Sequence, residues 1–166
     1  MQSASEASSP LFTKQMTDDA SLSFDRTDRT ILDVLQVDGR TTMTDLARLV
    51  HLSQPAVSAR VRKLERAGYI TGYGARVSPQ RLGLTTHAVV RLRTTHAQIQ
   101  SSLAEFDELP EIHRIYRVTG EDCFVLDVHA SSPERLEQII DAIGRFGPVS
   151  TALVLREYPA HPIVSP

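Results

Sequence analysis

The chain is poor in the residues that hold together small secreted and metal-dependent proteins. Its 166 residues include one cysteine, no tryptophan and 5% aromatic residues. One cysteine cannot form a disulfide framework or a cysteine zinc cluster, so the sequence predicts a protein of the reducing cytoplasm. No apolar run approaches the roughly 18–20 residues of a membrane span, and we therefore expect no membrane association.

Motifs of the common cofactor-dependent enzymes are also missing. We find no P-loop, no Gly-x-Ser-x-Gly and no dinucleotide-binding glycine pattern. A metal site needs three or four convergent ligands, and the histidines show no tight ligand spacing. The sequence therefore predicts no metal and no cofactor. The six histidines are His51, His87, His96, His113, His129 and His161.

The net charge of −2 conceals a difference between the two halves of the chain. Residues 25–77 contain nine Lys or Arg and six Asp or Glu, a net +3, whereas residues 85–158 contain seven Arg and eleven acids, a net −4. A basic half can meet phosphates while an acidic half is repelled by DNA. Because an excess of three charges is small, chance is the alternative explanation.

Three helical patterns and a strand-like segment follow one another in the first half. Apolar residues at helical spacing predict helices over 25–38, 42–50 and 53–67, the second capped by a threonine and the third by Ser53. Aromatic and β-branched residues interrupted by glycines predict a two-stranded hairpin over 69–77. This order is typical of a winged helix-turn-helix, whose second helix of the turn reads DNA.

The third helix has an apolar stripe on one side and basic residues on the other. Val57, Val61 and Leu64 lie at i, i+4 and i+7 and predict the buried side. On the opposite side, Gln and Arg can hydrogen-bond base edges in the major groove, and Lys or Arg can hold phosphates. A merely solvated basic face is the alternative. Arg60 lies beside the stripe, where a structural ion pair or a phosphate contact is expected. The candidate DNA-binding residues are Gln54, Pro55, Ala56, Ser58, Ala59, Arg62, Lys63, Arg66 and, on the wing, Arg76.

The second half alternates between strand and helix patterns. Strands are predicted over 87–95, 111–119, 123–129 and 149–157, with helices over 98–109 and from Ser132 to about Gly147. The order βαββαβ is that of a ferredoxin-like domain. The fold class is therefore α+β, a winged helix-turn-helix followed by this domain. The expected divisions are a disordered tail over 1–23, the DNA-binding domain over 24–77, a linker over 78–85, the βαββαβ domain over 86–158 and a C-terminal tail over 159–166.

Several spaced motifs resemble the Lrp/AsnC (feast/famine) family of transcription regulators. The similarity runs over about residues 24–158, and its motifs occur in the order found in that family. The matching segments are 24–29 (FDRTDR), 31–32, 38–40 (DGR), 45–47 (DLA), 52–70 (LSQPAVSARVRKLERAGYI), 72–73, 82–83 and 118–120 (VTG).

The resemblance implies a sequence-specific regulator that binds double-stranded promoter DNA as a homodimer assembling into a tetramer or octamer. The βαββαβ domain would then be of the RAM or ACT-like kind, pairing chains and binding a small effector, usually an amino acid, at oligomer contacts. The family commonly has Gly-x-x-Asp in the loop between the second and third strands, and here Cys123 takes the aspartate position. The candidate effector residues are Gly120, Glu121, Asp122, Cys123, Ser150 and Thr151.

Two other functions remain open at this point. An architectural DNA-binding protein that ignores small molecules would explain the altered loop at Cys123. A subunit resembling sirohaem decarboxylases would need a large pocket with basic and histidine residues, for which His113, Arg114 and Arg117 are available. The complete basic helix argues against an enzyme, so we expect a regulator without catalytic residues.

Overall fold

The computed structural model describes residues 24–163, which form two compact units. One unit contains residues 24–73 with 162–163, and the other contains residues 74–161. The tail predicted over 1–23 lies outside the described residues. None of the helices described is long and apolar enough to cross a membrane.

The first unit is built from three helices around a small apolar core. They are α1 (Arg26–Val37), α2 (Met43–Leu49) and α3 (Gln54–Arg66). Thr42 caps α2 and Ser53 caps α3 by accepting hydrogen bonds from backbone amides in the first turn, as the sequence predicts. The predicted stripe on α3 is buried, and it packs with Ile31 and Leu46 in this core.

The hairpin predicted over 69–77 is wrong, because no strand forms there. Residues 71–78 are all exposed, and none of them packs against either core. An isolated two-stranded hairpin is marginal in water, and this one would have no core to pack against. Ile70 ends the part of the segment that contacts the helical core.

The second unit has the predicted βαββαβ order. Its elements are β1 (Thr86–Leu92), α4 (Ile99–Asp107), β2 (Ile112–Arg117), β3 (Phe124–Ala130), α5 (Pro133–Gly144) and β4 (Val149–Leu153). Short 3-10 turns lie at Gln80–Leu82, within the predicted linker, and at His96–Gln98, directly before α4. The sheet is antiparallel throughout, with strand order β2-β3-β1-β4.

One face of this sheet supplies most of the second core. Alternate residues of β1 and β3, including Val90, Leu92 and Leu126, are fully buried against Phe106 of α4 and Ile139 of α5. Because successive side chains of a strand point to opposite faces, the residues between them lie on the face away from the helices.

The last strand is shorter than predicted. It ends at Leu153 rather than at residue 157, because its partner β1 begins at Thr86 and offers no further hydrogen bonds beyond His87. Leu155, two residues later, is almost completely exposed.

Candidate nucleic-acid interface and effector loop

The candidate DNA-binding helix α3 has a solvent-facing side that carries the predicted residues. Five of them are exposed and three are partly buried. The exposed residues are Gln54, Pro55, Ala59, Arg62 and Arg66, and the partly buried ones are Ala56, Ser58 and Lys63. The core of the unit therefore leaves a polar and basic surface on α3 available to a ligand.

Arg60 forms a structural ion pair, one of the two roles expected for it. Its Nη1 donates to Asp25 Oδ2 at 2.7 Å and to Asp28 Oδ1 at 2.8 Å. The same two carboxylates cap α1, since Asp25 accepts from the backbone N–H of Asp28 and Asp28 accepts from that of Asp25. The Asp28 amide hydrogen bond and the Arg60 guanidinium hold the pKa of Asp25 below its usual value. One arginine thus connects the middle of α3 to the start of α1.

The turn between α2 and α3 contains a residue in an unusual backbone conformation. His51 has a φ of +54°, the left-handed region that non-glycine residues rarely adopt. The amide of Leu52 donates to Ala47 O at 3.0 Å and that of His51 to Arg48 O at 3.4 Å, so α2 ends in a Schellman motif. This ending sets the tight turn that leads into Ser53.

Arg76, the predicted phosphate contact of the wing, belongs to the second compact unit. It is exposed and lines a cavity there, together with residues of the 75–84 segment. Tyr73, three residues earlier, belongs to the first unit and donates to Glu65 Oε1 of α3 at 3.1 Å. Burial and the neighbouring Glu65 raise the pKa of Tyr73 above its usual value.

The candidate effector loop follows β2 and begins at a glycine that the turn requires. Gly120 has a φ of +109°, a conformation that side-chain-bearing residues avoid. Glu121 pairs with Arg93, whereas Asp122 has no side-chain partner among residues 24–163. Of the two acids, Asp122 is therefore the one that remains available to a positively charged ligand group.

Cys123 anchors the end of this loop to β1 and the segment after it. Its amide donates to Leu92 O at 2.8 Å, and its Sγ donates to Thr94 O at 3.0 Å. Arg117 donates to Cys123 O. These hydrogen bonds fix the end of the loop against β1 and the residues that follow it.

The two hydroxyl residues at the start of β4 do not share one face of the sheet. Ser150 pairs with Arg91 and Thr151 with Val90, so their side chains point to opposite faces. Leu92 lies between Cys123 on one side and Val149 on the other. Two strand spacings amount to roughly 10 Å. A small ligand at Asp122 would therefore have to extend across β1 to reach Ser150.

A cluster that the sequence analysis did not identify lies on the open face of the same sheet. His87 Nε2 is 2.5 Å from Asp127 Oδ1, and His129 Nε2 is 3.7 Å from the same oxygen. The rings of His87 and His129 stack at 4.0 Å with an interplanar angle of 16°. These residues line the cavity that also includes His113 and Arg114, whereas Arg117 is engaged at the effector loop.

Comparisons with known proteins agree with both units. Residues 24–71 match the "Winged helix-turn-helix DNA-binding" model, and residues 87–164 match the "Lrp/AsnC ligand binding domain" model. HTH-type transcriptional regulator LrpC of Bacillus subtilis is 31% identical over 136 residues, which are 82% of this chain and 94% of LrpC.

Solved structures of the same type are also similar. The B. subtilis LrpC structure has a TM-score of 0.76 and 31% identity, covering 81% of this chain and 96% of that one. Escherichia coli AsnC has a TM-score of 0.74 and 28% identity, with 84% and 97% covered. The Neisseria meningitidis regulator NMB0573, in complex with L-Met, has a TM-score of 0.76 and 26% identity, with 82% and 93% covered.

A helix-turn-helix unit that matches the winged helix-turn-helix model, followed by a four-stranded βαββαβ domain that matches a ligand-binding model, defines a class of DNA-binding transcription regulator. The match covers 94% of LrpC, and it therefore identifies the family within that class. This chain belongs to the Lrp/AsnC family of HTH-type transcription regulators.

Proposed function

We propose that this regulator reads promoter DNA with the exposed side of α3 and responds to an amino acid at the loop after β2. The observation that carries the first part is the division of α3 into a buried stripe and an opposite, solvent-facing basic side. The family membership supports the DNA-binding role, and the residue assignments are ours.

The exposed side of α3 offers two kinds of contact. Amide, hydroxyl and guanidinium groups hydrogen-bond base edges, and small residues allow the helix to approach the groove closely. Basic residues towards the end of the helix, and in the segment after it, fit phosphates, which fix the register without reading sequence. The proposed base-contacting residues are Gln54, Ser58 and Arg62, with Pro55, Ala56 and Ala59 at the closest approach, and the proposed phosphate contacts are Lys63, Arg66 and Arg76.

The protein acts, in this proposal, as a homodimer that assembles further into a tetramer or octamer in the cytoplasm. A two-fold symmetric dimer carries two copies of α3, so its operator has two related half-sites. The family resemblance is the basis for this assembly.

The effector proposal depends on a difference between the two acidic side chains of the loop: one forms an ion pair and the other forms none within residues 24–163. An amino acid offers an ammonium group, which a carboxylate binds by charge-assisted hydrogen bonds. Glu121 is already paired with Arg93, whereas Asp122 is available. The complex of the similar NMB0573 regulator with L-Met supports an amino acid as the ligand class.

A gel shift and footprint on the DNA upstream of the protein's own gene, at two salt concentrations, tests DNA binding. We expect a protected, roughly symmetric site whose affinity falls as salt rises. Arg62→Ala should weaken binding by about 5- to 150-fold and relax the sequence preference, because a good base contact is worth about 1–3 kcal/mol.

Arg66→Ala should weaken all sequences alike and lower the salt slope by about one. Arg145→Ala, which removes an exposed arginine from the second unit, is the charge-matched control and should bind as the wild type does. Loss of sequence preference in Arg145→Ala, or its retention in Arg62→Ala, would contradict the assignment.

Thermal melts with a panel of amino acids test the effector site. A ligand that binds the folded state raises the melting temperature, and Asp122→Asn should abolish that rise. Glu121→Gln should retain it, because this side chain is engaged by Arg93. A panel that leaves the melting temperature and the DNA affinity of the wild type unchanged would favour an effector-independent architectural protein.

A further inference from the structure

The open face of the sheet holds three potential metal ligands that the strand register brings together. His87 of β1 pairs directly with His129 of β3. Asp127 precedes His129 by two positions, so its side chain lies on the same face. The three residues lie on the side of the sheet that the helices leave uncovered, and Asp127 and His129 interrupt an otherwise apolar β3. From this geometry we propose that His87, Asp127 and His129 form a binding site for a divalent first-row transition metal ion of the zinc type.

The distances between the donor atoms are close to those that such an ion requires. One ligand atom from each residue lies within 4.8 Å of the other two. Zinc–ligand bonds of about 2.0–2.1 Å in a tetrahedron place the donor atoms roughly 3.3 Å apart. His87 Nε2 and Asp127 Oδ1, at 2.5 Å, would separate slightly, and His129 Nε2, at 3.7 Å from that oxygen, would approach it. These changes amount to about 0.8 Å for the first distance and about 0.4 Å for the second, which side-chain rotations can supply.

The ring of His129 is nearly buried, yet it has a polar atom that the rest of the fold over residues 24–163 does not bind. The side chain of His129 is 10% exposed, and its Nδ1 is buried without a hydrogen-bond partner among residues 24–163. Its Nε2, the proposed ligand atom, lies 3.7 Å from Asp127 Oδ1, beyond hydrogen-bond distance, so this nitrogen is not engaged by that carboxylate either.

The surroundings provide access and further polar groups. The cluster lines a cavity of about 680 Å³ within the second unit. A register shift of β2 between Ile112 and Arg114 leaves His113 as an extra residue, and its ring meets that of His129 edge to face at 5.9 Å. Such bulges redirect side chains. The cavity therefore has room for a fourth ligand from His113 or from solvent.

The donor set selects the class of ion. Two imidazoles and one carboxylate suit Zn²⁺, Co²⁺ or Ni²⁺, whereas Mg²⁺ and Ca²⁺ prefer oxygen ligands alone. The site is separate from the proposed amino-acid loop, because none of residues 120–123 lines this cavity. Failure of the effector proposal would therefore leave the metal proposal intact, and the reverse is also true.

Titration of the tag-free full-length protein with Co²⁺, and competition by Zn²⁺, tests the proposal. We expect visible d–d bands of a bound ion at one Co²⁺ per chain, displacement by Zn²⁺ and none by Mg²⁺. His87→Gln and Asp127→Asn should each weaken binding at least about tenfold. His96→Gln, which alters an exposed histidine of the same unit, is the matched control and should bind as the wild type does.

A measurement on the unmutated protein tests the proposal even if the variants fail to fold. Zn²⁺ should protect His87, but not His96, from modification by an imidazole-reactive acylating reagent, read by mass spectrometry. The proposal is overturned if the wild type gives no Co²⁺ bands, if His96→Gln weakens binding as much as His87→Gln does, or if Zn²⁺ protects both histidines equally.

Discussion

Replacing Arg60 by methionine tests whether the ion pair between α3 and the start of α1 stabilises the first unit. The substitution keeps the aliphatic bulk but removes both hydrogen bonds to the carboxylates of Asp25 and Asp28. Asp28 is 1% exposed, so its carboxylate would remain buried without the arginine. Removing one partner of a fully buried pair costs about 3–5 kcal/mol.

The expected cost is lower than this value for a fully buried pair, because part of the ion pair is exposed to water. The side chain of Arg60 is 31% exposed and that of Asp25 is 41% exposed. Exposed ion pairs contribute about 0–1 kcal/mol, so we expect a loss of about 2–3 kcal/mol in the free energy of unfolding of this unit. Most of the loss comes from Asp28 rather than from Asp25.

Hydrogen exchange of the core amides of α1 and α3, with urea denaturation alongside, measures this loss in the first unit itself. Arg62→Met is the control, since it makes the same substitution on the exposed side of the same helix and should change stability by less than about 0.5 kcal/mol. Equal losses in Arg60→Met and Arg62→Met would refute the reasoning. So would a double variant Arg60→Met/Asp28→Asn that is no more stable than Arg60→Met alone.

The pH dependence provides a second check on the same interaction. The pKa of Asp25 is lowered in the folded state, first by the amide of Asp28 and also by Arg60. A lowered folded pKa means that the stabilisation is present above the ordinary value of 3.8 and is lost as the pH falls through the folded pKa. The share of the stability difference between the wild type and Arg60→Met that comes from Asp25 should therefore be full at pH 7 and should shrink below about pH 3.8.

Further predictions concern backbone conformation and are read by urea denaturation. His51→Gly should stabilise the first unit by about 0.5–1 kcal/mol. The left-handed conformation costs a residue with a side chain about 1–2 kcal/mol, and the greater chain entropy that glycine loses on folding offsets part of that gain. His51→Val should destabilise the unit, and equal stabilities of the two variants would contradict the assigned strain. Gly147→Ala should cost at least about 3 kcal/mol, because the added Cβ would lie 2.1 Å from Arg93 O at a φ of +147°. Gly144→Ala, whose Cβ meets nothing closer than 4.0 Å, is its control, and a comparable loss in both would show that the close approach is not the cause.

The elements with regular apolar spacing could be predicted from the sequence. The stripe of Val57, Val61 and Leu64 identified the buried side of α3, and apolar runs predicted the strands that the structure shows as β1 and β3. Both patterns arise because one side of the segment is buried against a neighbouring element. That burial is visible in the segment's own sequence, without knowledge of the neighbour. The segment 71–78 has strand-forming residues but no core to cover, and propensity alone predicted a hairpin that does not form.

The side-chain partnerships could not be predicted, because they join distant positions. Arg60 lies 32 residues from Asp28, and His87 lies 40 residues from Asp127. Tests for metal ligands that depend on close spacing along the chain therefore pass over a cluster that antiparallel pairing assembles. The one local signal was the period-two placement of Asp127 and His129 within an apolar strand.

The separation of roles around α3 has a consequence for how the DNA specificity of such a regulator can change during evolution. Its core residues, its ion-pairing Arg60 and its exposed side lie on three separate sectors of one helix. Substitutions at Gln54, Ala59 or Arg62 leave the apolar core and the link to α1 untouched. If α3 reads DNA as we propose, a duplicated copy of the gene can acquire new target promoters through a few changes on this surface without loss of stability.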